Sequence, residues 1–388
     1  MALSCMRALA LVPLLFSVET ATVTSSCHET RCGFACSGRV CWVSGACAKS
    51  VACVLPASEL ARFTATMGQQ WALARELLGL PAAWPGRGQQ SLHAFLDKQM
   101  YTLAHTRRDP EHPRHRVHRY CVGRYRREED KDIDLCYIRI YKSGNDMLCE
   151  NFESPLFKFG KRAQQATCEG GANRIVFTAV RDPLAHFISG FSELAFRYEH
   201  AEKQNARVRP VLAGYASQGV EFARAMDANM ASRRRQSAGT VPLAFLRDFV
   251  SGRFQGSFDD AADVHVWPQI AYVSLHLREK QPVHFIADLS TIEQGWTAIG
   301  KLARAGDGWP QLDTTLGQHA SAPRQSWGEQ MEDTLRTNST LMEAVCRVLL
   351  PDYSCFAALG FELPAVCARA IGKRDLKCPF NLGFVGRI

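Results

Sequence analysis

A lysine and four small polar residues follow the apolar run from Leu135 to Ile140, in the stretch YKSGNDM. The next residues, MLCENF, have a helix-like pattern. A turn between a strand and a helix presents backbone N–H groups to an anion, and the lysine adds a positive charge. The stretch therefore predicts a phosphate-binding loop, with an incidental turn as the alternative; its residues are Lys142, Ser143, Gly144, Asn145 and Asp146. The glycine arm of a full GxxxxGK[ST] motif is absent, which disfavours an ordinary ATPase, GTPase or P-loop kinase.

A second polar site follows the next buried-strand pattern, NRIVFTAV, in the sequence RDPLAHFISGFSELAFRY. Pro183 suits the first turn of a helix, and apolar residues then recur at intervals of three and four. Arg181 at the strand exit and Ser189 on the helix do not belong to this apolar pattern. They are candidates for ligand binding, Arg181 through its guanidinium and Ser189 through its hydroxyl. The structural alternative is that Arg181 pairs with an acid such as Asp182 and that Ser189 is a small packing residue.

Together the two sites resemble the carbohydrate sulfotransferases, the Golgi membrane-associated family that acts on glycan hydroxyls. In that family a PKxGSTS loop binds the 5′-phosphosulfate of PAPS (3′-phosphoadenosine 5′-phosphosulfate), and a later RDPxxRxxSxY binds its 3′-phosphate. The stretch RDPLAHFISGF matches the second motif at Arg181, Asp182, Pro183 and Ser189. Downstream, DVHVWPQ, VHFIADLSTIEQGWTAIG and VCRVLLPDYSCFAALGFELP are similar to further family segments in the same order. The resemblance covers the chain from about Asp132 to Pro364.

The resemblance implies a fold and a reaction. The expected fold class is α/β, a P-loop-like parallel β-sheet flanked by helices as in the sulfotransferase fold. The implied reaction is transfer of a sulfuryl group from PAPS to a sugar hydroxyl, with release of PAP and without a metal. Lys142 would stabilise charge developing on the leaving oxygens, helped by the N–H groups of Ser143 to Asp146, while Arg181 and Ser189 would hold the 3′-phosphate.

The acceptor hydroxyl also needs a base, and two residues are candidates. His265 comes first, because imidazole titrates near neutral pH and DVHVWPQ is similar to a family motif. Glu193, on the polar side of the helix that follows Arg181, comes second. For each of them a structural role, as a buried histidine or a solvated glutamate, is the alternative.

Four positions depart from the family pattern. Tyr141 stands where the family usually has Pro, and His186 where it commonly has Arg. Asn145 and Asp146 stand where it usually has Ser or Thr. A carboxylate at Asp146 would repel a phosphosulfate unless it turned away. These departures support a rival hypothesis, a catalytically weak relative that binds glycan or nucleotide without transferring sulfate.

The amino end predicts entry into the secretory pathway. Residues 1–25 combine Arg7, an apolar stretch and small polar residues, which is typical of a signal peptide, with a membrane-retained signal-anchor as the alternative. Without Cys5, fourteen of the fifteen cysteines remain, an even number as expected in an oxidising compartment. Asn338-Ser-Thr is a glycosylation sequon. The Golgi lumen is the predicted location.

Cysteine spacing and composition divide the rest of the chain. Six cysteines in residues 27–53 predict a disulfide-rich segment. Residues 54–131 are predicted to form a helical and basic connector, and residues 132–388 the α/β domain. Four late cysteines are also expected to form disulfides; they are Cys346, Cys355, Cys367 and Cys378. A secreted binding protein that acts through residues 27–53 is the rival from another class.

The formal net charge of +8 favours an anionic partner, although a moderately basic protein without such a partner has the same charge. The predicted secretory location argues against nucleic acid, so a glycan or proteoglycan acceptor is the expected partner.

Overall fold

The computed structural model describes residues 34–37, 40–43, 57–80, 120–125, 132–152, 164–165, 174–200, 221–231, 239–251, 265–266, 268–270, 272–273, 283–305, 307–316, 322–371 and 378. The signal sequence and a second helix expected over residues 91–106 lie outside these ranges. In the cysteine-rich segment, strands β1 (Phe34–Ser37) and β2 (Val40–Val43) form an antiparallel pair. The pairing of the cysteines in that segment lies outside the described residues.

Within the described residues, the main β-sheet is mixed and has five strands. These are β3 (Tyr120–Tyr125), β4 (Ile133–Ile138), β5 (Gln164–Gln165), β6 (Arg174–Val180) and β7 (Phe285–Asp288), in the spatial order β5-β3-β4-β6-β7. Strands β4, β6 and β7 are parallel, as their apolar patterns predicted. Strand β3 pairs antiparallel with β4 and β5, so the sheet is not wholly parallel and extends upstream of residue 132.

The helices follow the apolar periodicity of the sequence. They are α1 (Ala57–Leu77), α2 (Asn145–Asn151), α3 (Pro183–Glu199), α4 (Glu221–Ala231), α5 (Thr240–Ser251), α6 (Ile292–Leu302), α7 (Ala322–Thr337), α8 (Ser339–Phe356) and α9 (Ala365–Ile371). Helix α3 begins as expected, with Pro183 in its first turn and the Asp182 carboxylate accepting a hydrogen bond from the Ala185 N–H. This cap fixes how Arg181 leaves strand β6.

Apolar side chains cover both faces of the central strands. On one face, Leu135 and Phe177 pack with Trp296 of α6. On the other face, Ile138 and Val176 pack in a separate cluster. Strands buried on both faces are typical of α/β proteins, in which helices cover the parallel part of the sheet. The α/β class expected from the sequence is therefore confirmed.

A larger apolar cluster joins the helices that surround the sheet. Phe191 of α3 lies 4.9 Å, between ring centroids, from Phe245 of α5, and both side chains are fully buried. Trp71 of α1 joins the same cluster and donates a hydrogen bond to the Val250 carbonyl. The predicted first helix thus belongs to the core that supports α3.

Three disulfides join described cysteines. Cys346–Cys367 and Cys355–Cys378 confirm that the four late cysteines are oxidised. The third bond, Cys121–Cys149, ties strand β3 to helix α2. Disulfides of this kind indicate a secreted protein or an oxidising compartment. None of the helices in the described part of the chain is long and apolar enough to span a membrane.

Candidate functional site

The two predicted sites meet at the carboxyl ends of neighbouring parallel strands. Lys142 follows β4, Arg181 follows β6, and these strands are hydrogen-bonded neighbours. Ligands of open α/β sheets bind in crevices outside the carboxyl ends of such strands. A cleft of about 1260 Å³ lies at this edge, and its lining includes Lys142, Arg181, Ser189, Glu193 and His265. The tertiary structure therefore brings together residues that the sequence places in three separate segments.

The loop after β4 has a strained backbone. Lys142 has a φ of 67° and Gly144 a φ of 78°, both in the left-handed region. This conformation costs little for glycine, but about 1–2 kcal/mol for a residue with a side chain. A non-glycine residue held in such a conformation is a feature that clusters at functional sites. The strain therefore marks Lys142 as a residue that the surrounding structure holds in place.

The side chains of the loop divide between the interior and the cleft. Ser143 is fully buried and its hydroxyl donates to Gln269, so this side chain is turned away from a ligand. The Asn145 amide oxygen accepts a hydrogen bond from the Tyr137 hydroxyl at 3.0 Å. Gly144 and Asp146 line the cleft, and Asp146 is exposed. Asp146, one of the residues that depart from the motif of the resembled family, is thus an exposed residue of the cleft lining.

A buried carboxylate holds the lysine. The Lys142 ammonium lies 2.8 Å from Glu193, which also contacts Arg197 at 2.6 Å and Arg324 at 3.2 Å. Burial alone would raise the pKa of Glu193, but Lys142 and Arg197 outweigh it and lower the pKa to about 2. A carboxylate with so low a pKa is a poor proton acceptor. Glu193 is therefore better assigned as the counter-ion of Lys142 than as the base.

Arg181 and Ser189 lie on the same side of the cleft, at the exit of β6 and on α3. Both are partly buried and line the cleft. Burial lowers the pKa of Arg181, while the nearby carboxylates of Asp182 and Glu332 raise it. The alternative in which Arg181 has acidic neighbours is thus realised in part, through Asp182 at the helix cap and Glu332 of α7. Arg181 nonetheless lines the cleft.

His265, the first candidate base, lines the cleft beside the loop but is buried, with 3% of the residue exposed, so the alternative of a buried histidine is realised in part. Its ring packs edge-on against the Tyr141 ring, with 5.0 Å between the centroids. Helix α3 approaches the His265 backbone very closely at Gly190, where a Cβ atom would lie 2.2 Å from the His265 carbonyl oxygen. A glycine at this position of the helix is therefore required to place His265, a relationship that the sequence alone does not reveal.

His186 has a structural role. It is fully buried, and burial lowers its pKa to about 4, so its imidazole is neutral at physiological pH. Its Nε2 lies 2.8 Å from the Tyr141 carbonyl oxygen and donates a hydrogen bond to it. His186 thus connects helix α3 to the start of the Lys142 loop.

Sequence reasoning missed the polar residues behind the loop and around Glu193. Gln269 contacts both Ser143 and Arg181, and Asp352 contacts the backbone of Gln269. Both residues lie in segments quoted for the resemblance, DVHVWPQ and PDYSC, which was the available signal. Arg197 and Arg324 were missed because a charged residue on a helix carries no signal of the acid that it will meet.

No group of three or more His, Cys, Asp or Glu side chains that could hold a metal ion occurs within the described ranges. Comparisons with family models, with curated proteins and with solved structures find no match to this chain.

Proposed function

We propose that this protein is a PAPS-dependent sulfotransferase that transfers a sulfuryl group to a hydroxyl of a glycan. One observation carries the proposal: Lys142 and Arg181 follow adjacent parallel strands and line one cleft. Two cations held apart on a rigid sheet edge match a nucleotide that carries anionic groups at its 5′ and 3′ positions. The cleft volume of about 1260 Å³ leaves room for an acceptor beside such a nucleotide.

In this proposal each residue has one task. Lys142, with the backbone N–H groups of Gly144, Asn145 and Asp146, holds the 5′-phosphosulfate, and Arg181 and Ser189 hold the 3′-phosphate. The Ser143 N–H does not take part, because it donates a hydrogen bond to the Ile140 carbonyl. The Ser143 and Asn145 side chains support the loop from within, since Ser143 is fully buried and Asn145 accepts from Tyr137. To bind the ligand, the Lys142 ammonium must either leave Glu193 or contact Glu193 and the ligand at the same time.

PAPS supplies the sulfuryl group, whose bond to the 5′-phosphate oxygen breaks as the acceptor oxygen bonds to sulfur. His265 takes the proton that the acceptor hydroxyl loses. Lys142 stabilises the negative charge on the departing phosphate oxygen. Most of the rate enhancement comes from positioning and charge stabilisation, as in phosphoryl transfer.

The acceptor is proposed to be a glycan or proteoglycan in the Golgi lumen. The described disulfides agree with an oxidising compartment. Arg197 and Arg324 also line the cleft, where both contact Glu193.

The test begins with calorimetric titration of PAP into the secreted protein. Lys142→Ala and Arg181→Ala should each weaken binding at least tenfold. Lys301→Ala on α6 and Arg336→Ala on α7, both on exposed surface, are the matched controls and should bind as the wild type does. Transfer of radiolabelled sulfate from PAPS to a panel of glycans then identifies the acceptor. Absence of PAP binding by folded wild-type protein would overturn the proposal.

A second candidate function is a nucleotide- or glycan-binding protein without transferase activity. Its support is the pair of carboxylates next to the proposed phosphosulfate site, with Asp146 exposed in the cleft and Glu193 paired to Lys142. PAP binding with no sulfate transfer to any glycan of the panel would favour this candidate. Gain of transfer activity on Asp146→Ser would then show that the carboxylate is the cause.

A further inference from the structure

One buried side chain connects the two segments that carry the cleft cations. The Gln269 amide oxygen accepts hydrogen bonds from the Ser143 hydroxyl and from the Arg181 backbone N–H, each at 2.8 Å. Its amide nitrogen donates to the Arg181 carbonyl oxygen at 2.7 Å. Gln269 is fully buried, so water does not compete for these bonds. Three hydrogen bonds thus join the residue after Lys142 to Arg181 itself.

A second buried residue fixes Gln269 from behind. The Asp352 carboxylate accepts hydrogen bonds from the backbone N–H groups of Gln269 and Ile270, both at 2.8 Å. Asp352 belongs to helix α8 and is fully buried. A carboxylate that accepts two backbone N–H groups fixes the chain direction at that point. The Gln269 side chain therefore starts from a backbone that α8 holds in place.

The network is more specific than the core requires. Buried polar groups need hydrogen-bond partners, but a serine hydroxyl and a strand-exit amide can find them locally. Here both use the same amide, which comes from a segment 126 residues away from Ser143 and 88 residues away from Arg181. The result is one rigid connection directly behind the two cleft cations.

We propose that Gln269 is a positioning residue that joins the Lys142 loop and the Arg181 segment into one unit, with Asp352 holding Gln269 in place. The inference rests on the proposed function in one respect. The proposed nucleotide has two phosphate half-sites, one at the Lys142 loop and one at Arg181, and the connection through Gln269 sets the spacing between them. A ligand with two anionic groups gains from both half-sites only when their spacing is held, because the second contact then forms at high effective concentration. A ligand with one phosphate uses one half-site and gains nothing from the connection.

The first arm of the test needs no ligand. Amide hydrogen exchange is measured across the full secreted chain for wild type, Gln269→Leu, Gln269→Glu and Trp71→Phe. Gln269→Leu should increase exchange at least fivefold in residues 141–146 and in residues 181–186. Gln269→Glu keeps the acceptor oxygen and should be intermediate. Trp71→Phe removes one buried hydrogen bond that involves neither segment, between α1 and the Val250 carbonyl, and should leave exchange in both segments unchanged.

The second arm compares PAP with 5′-AMP and 3′-AMP in binding to the same four proteins and to Ser143→Ala. Gln269→Leu should lower the affinity for PAP at least tenfold and the affinity for each of the two monophosphates less than threefold. Ser143→Ala, which removes only one of the three bonds, should weaken PAP by a smaller factor. A general loss of structure would instead weaken all three nucleotides alike and would lower the melting temperature in proportion.

The two arms separate this inference from the proposed function. Failure of the wild type to bind PAP would overturn the sulfotransferase proposal, while raised exchange in both segments would still support the connection by Gln269. Unchanged exchange in either segment of Gln269→Leu would overturn the inference, whatever PAP does. Equal loss of PAP and of the monophosphates would also overturn it.

Discussion

The Lys142 ammonium lies 2.8 Å from the Glu193 carboxylate, and this carboxylate is almost fully buried between three cations. Glu193 thereby neutralises part of the positive charge that would attract a ligand, and the cations keep Glu193 ionised. Desolvation lowers the pKa of Lys142, while Glu193 raises it. The pair therefore stabilises the free cleft and also competes with an anionic ligand for Lys142.

Glu193→Gln should destabilise the protein at neutral pH by about 3 kcal/mol, because it leaves the partly buried cations without their carboxylate. The pKa of Glu193 is lowered to about 2 in the folded protein, below its ordinary value of 4.5. Its stabilising effect is therefore complete above about pH 4.5 and is lost as the pH falls towards 2. Urea unfolding should show the same difference from wild type at pH 7 and at pH 5, and a smaller difference at pH 3.

The control for this variant is Asp333→Asn, at the exposed pair with Arg336 on α7. Its effect at neutral pH should be under about 1 kcal/mol. If Glu193→Gln cost as much at pH 3 as at pH 7, a cause other than the ionised carboxylate would be acting.

Lys142→Gly should be more stable than Lys142→Ala by about 1 kcal/mol, because glycine adopts the left-handed backbone without strain. Both variants remove the ammonium and leave Glu193 in the same state. The difference between their free energies of unfolding therefore reports the strain of the backbone at residue 142, where φ is 67°. Thermal and urea unfolding measure the difference. At Lys301, in helix α6, the order should be reversed, with alanine favoured over glycine. An equal stability of the two Lys142 variants would contradict the strain.

Gly190→Ala should lower stability by about 1–3 kcal/mol, because its Cβ would lie 2.2 Å from the His265 carbonyl oxygen. Either α3 or the His265 segment must then move, and sulfate transfer should fall more than PAP binding. Gly328→Ala on α7 is the matched control, since the nearest atom to its Cβ would lie at 3.9 Å. That control should be neutral or stabilising. Unchanged transfer by a folded Gly190→Ala protein would argue against His265 as the base.

Replacing Cys121 and Cys149 together by Ser should cost roughly 3–4 kcal/mol from loop closure, given the separation of 28 residues. It should also weaken PAP, because the bond ties β3 to the helix that follows the Lys142 loop. Removal of Cys346–Cys367 gives a control with a similar separation, of 21 residues, between α8 and α9. Calorimetry should find PAP affinity lowered in the first pair only. If the two double cysteine variants bound PAP with equal affinity, the Cys121–Cys149 bond would not support the loop.

Much of the local structure could be predicted from short-range pattern. Apolar periodicity predicts helix α1 and the strands that precede Lys142 and Arg181. The Asp182-Pro183 pair predicts the start of α3. Both kinds of signal depend only on neighbouring residues. The antiparallel strand β3 was missed, because it lies in a basic stretch and its apolar residues gain a core only by pairing with β4.

By itself, the sequence determined the α/β class and placed a lysine and an arginine at two strand exits, since alternation and periodicity along the chain specify these features. Only the tertiary structure decided that Glu193 binds Lys142 and that Gln269 joins Ser143 to Arg181. The physical reason is that burial, charge pairing and hydrogen-bond partners depend on residues 51 to 126 positions apart, whose approach no local pattern encodes.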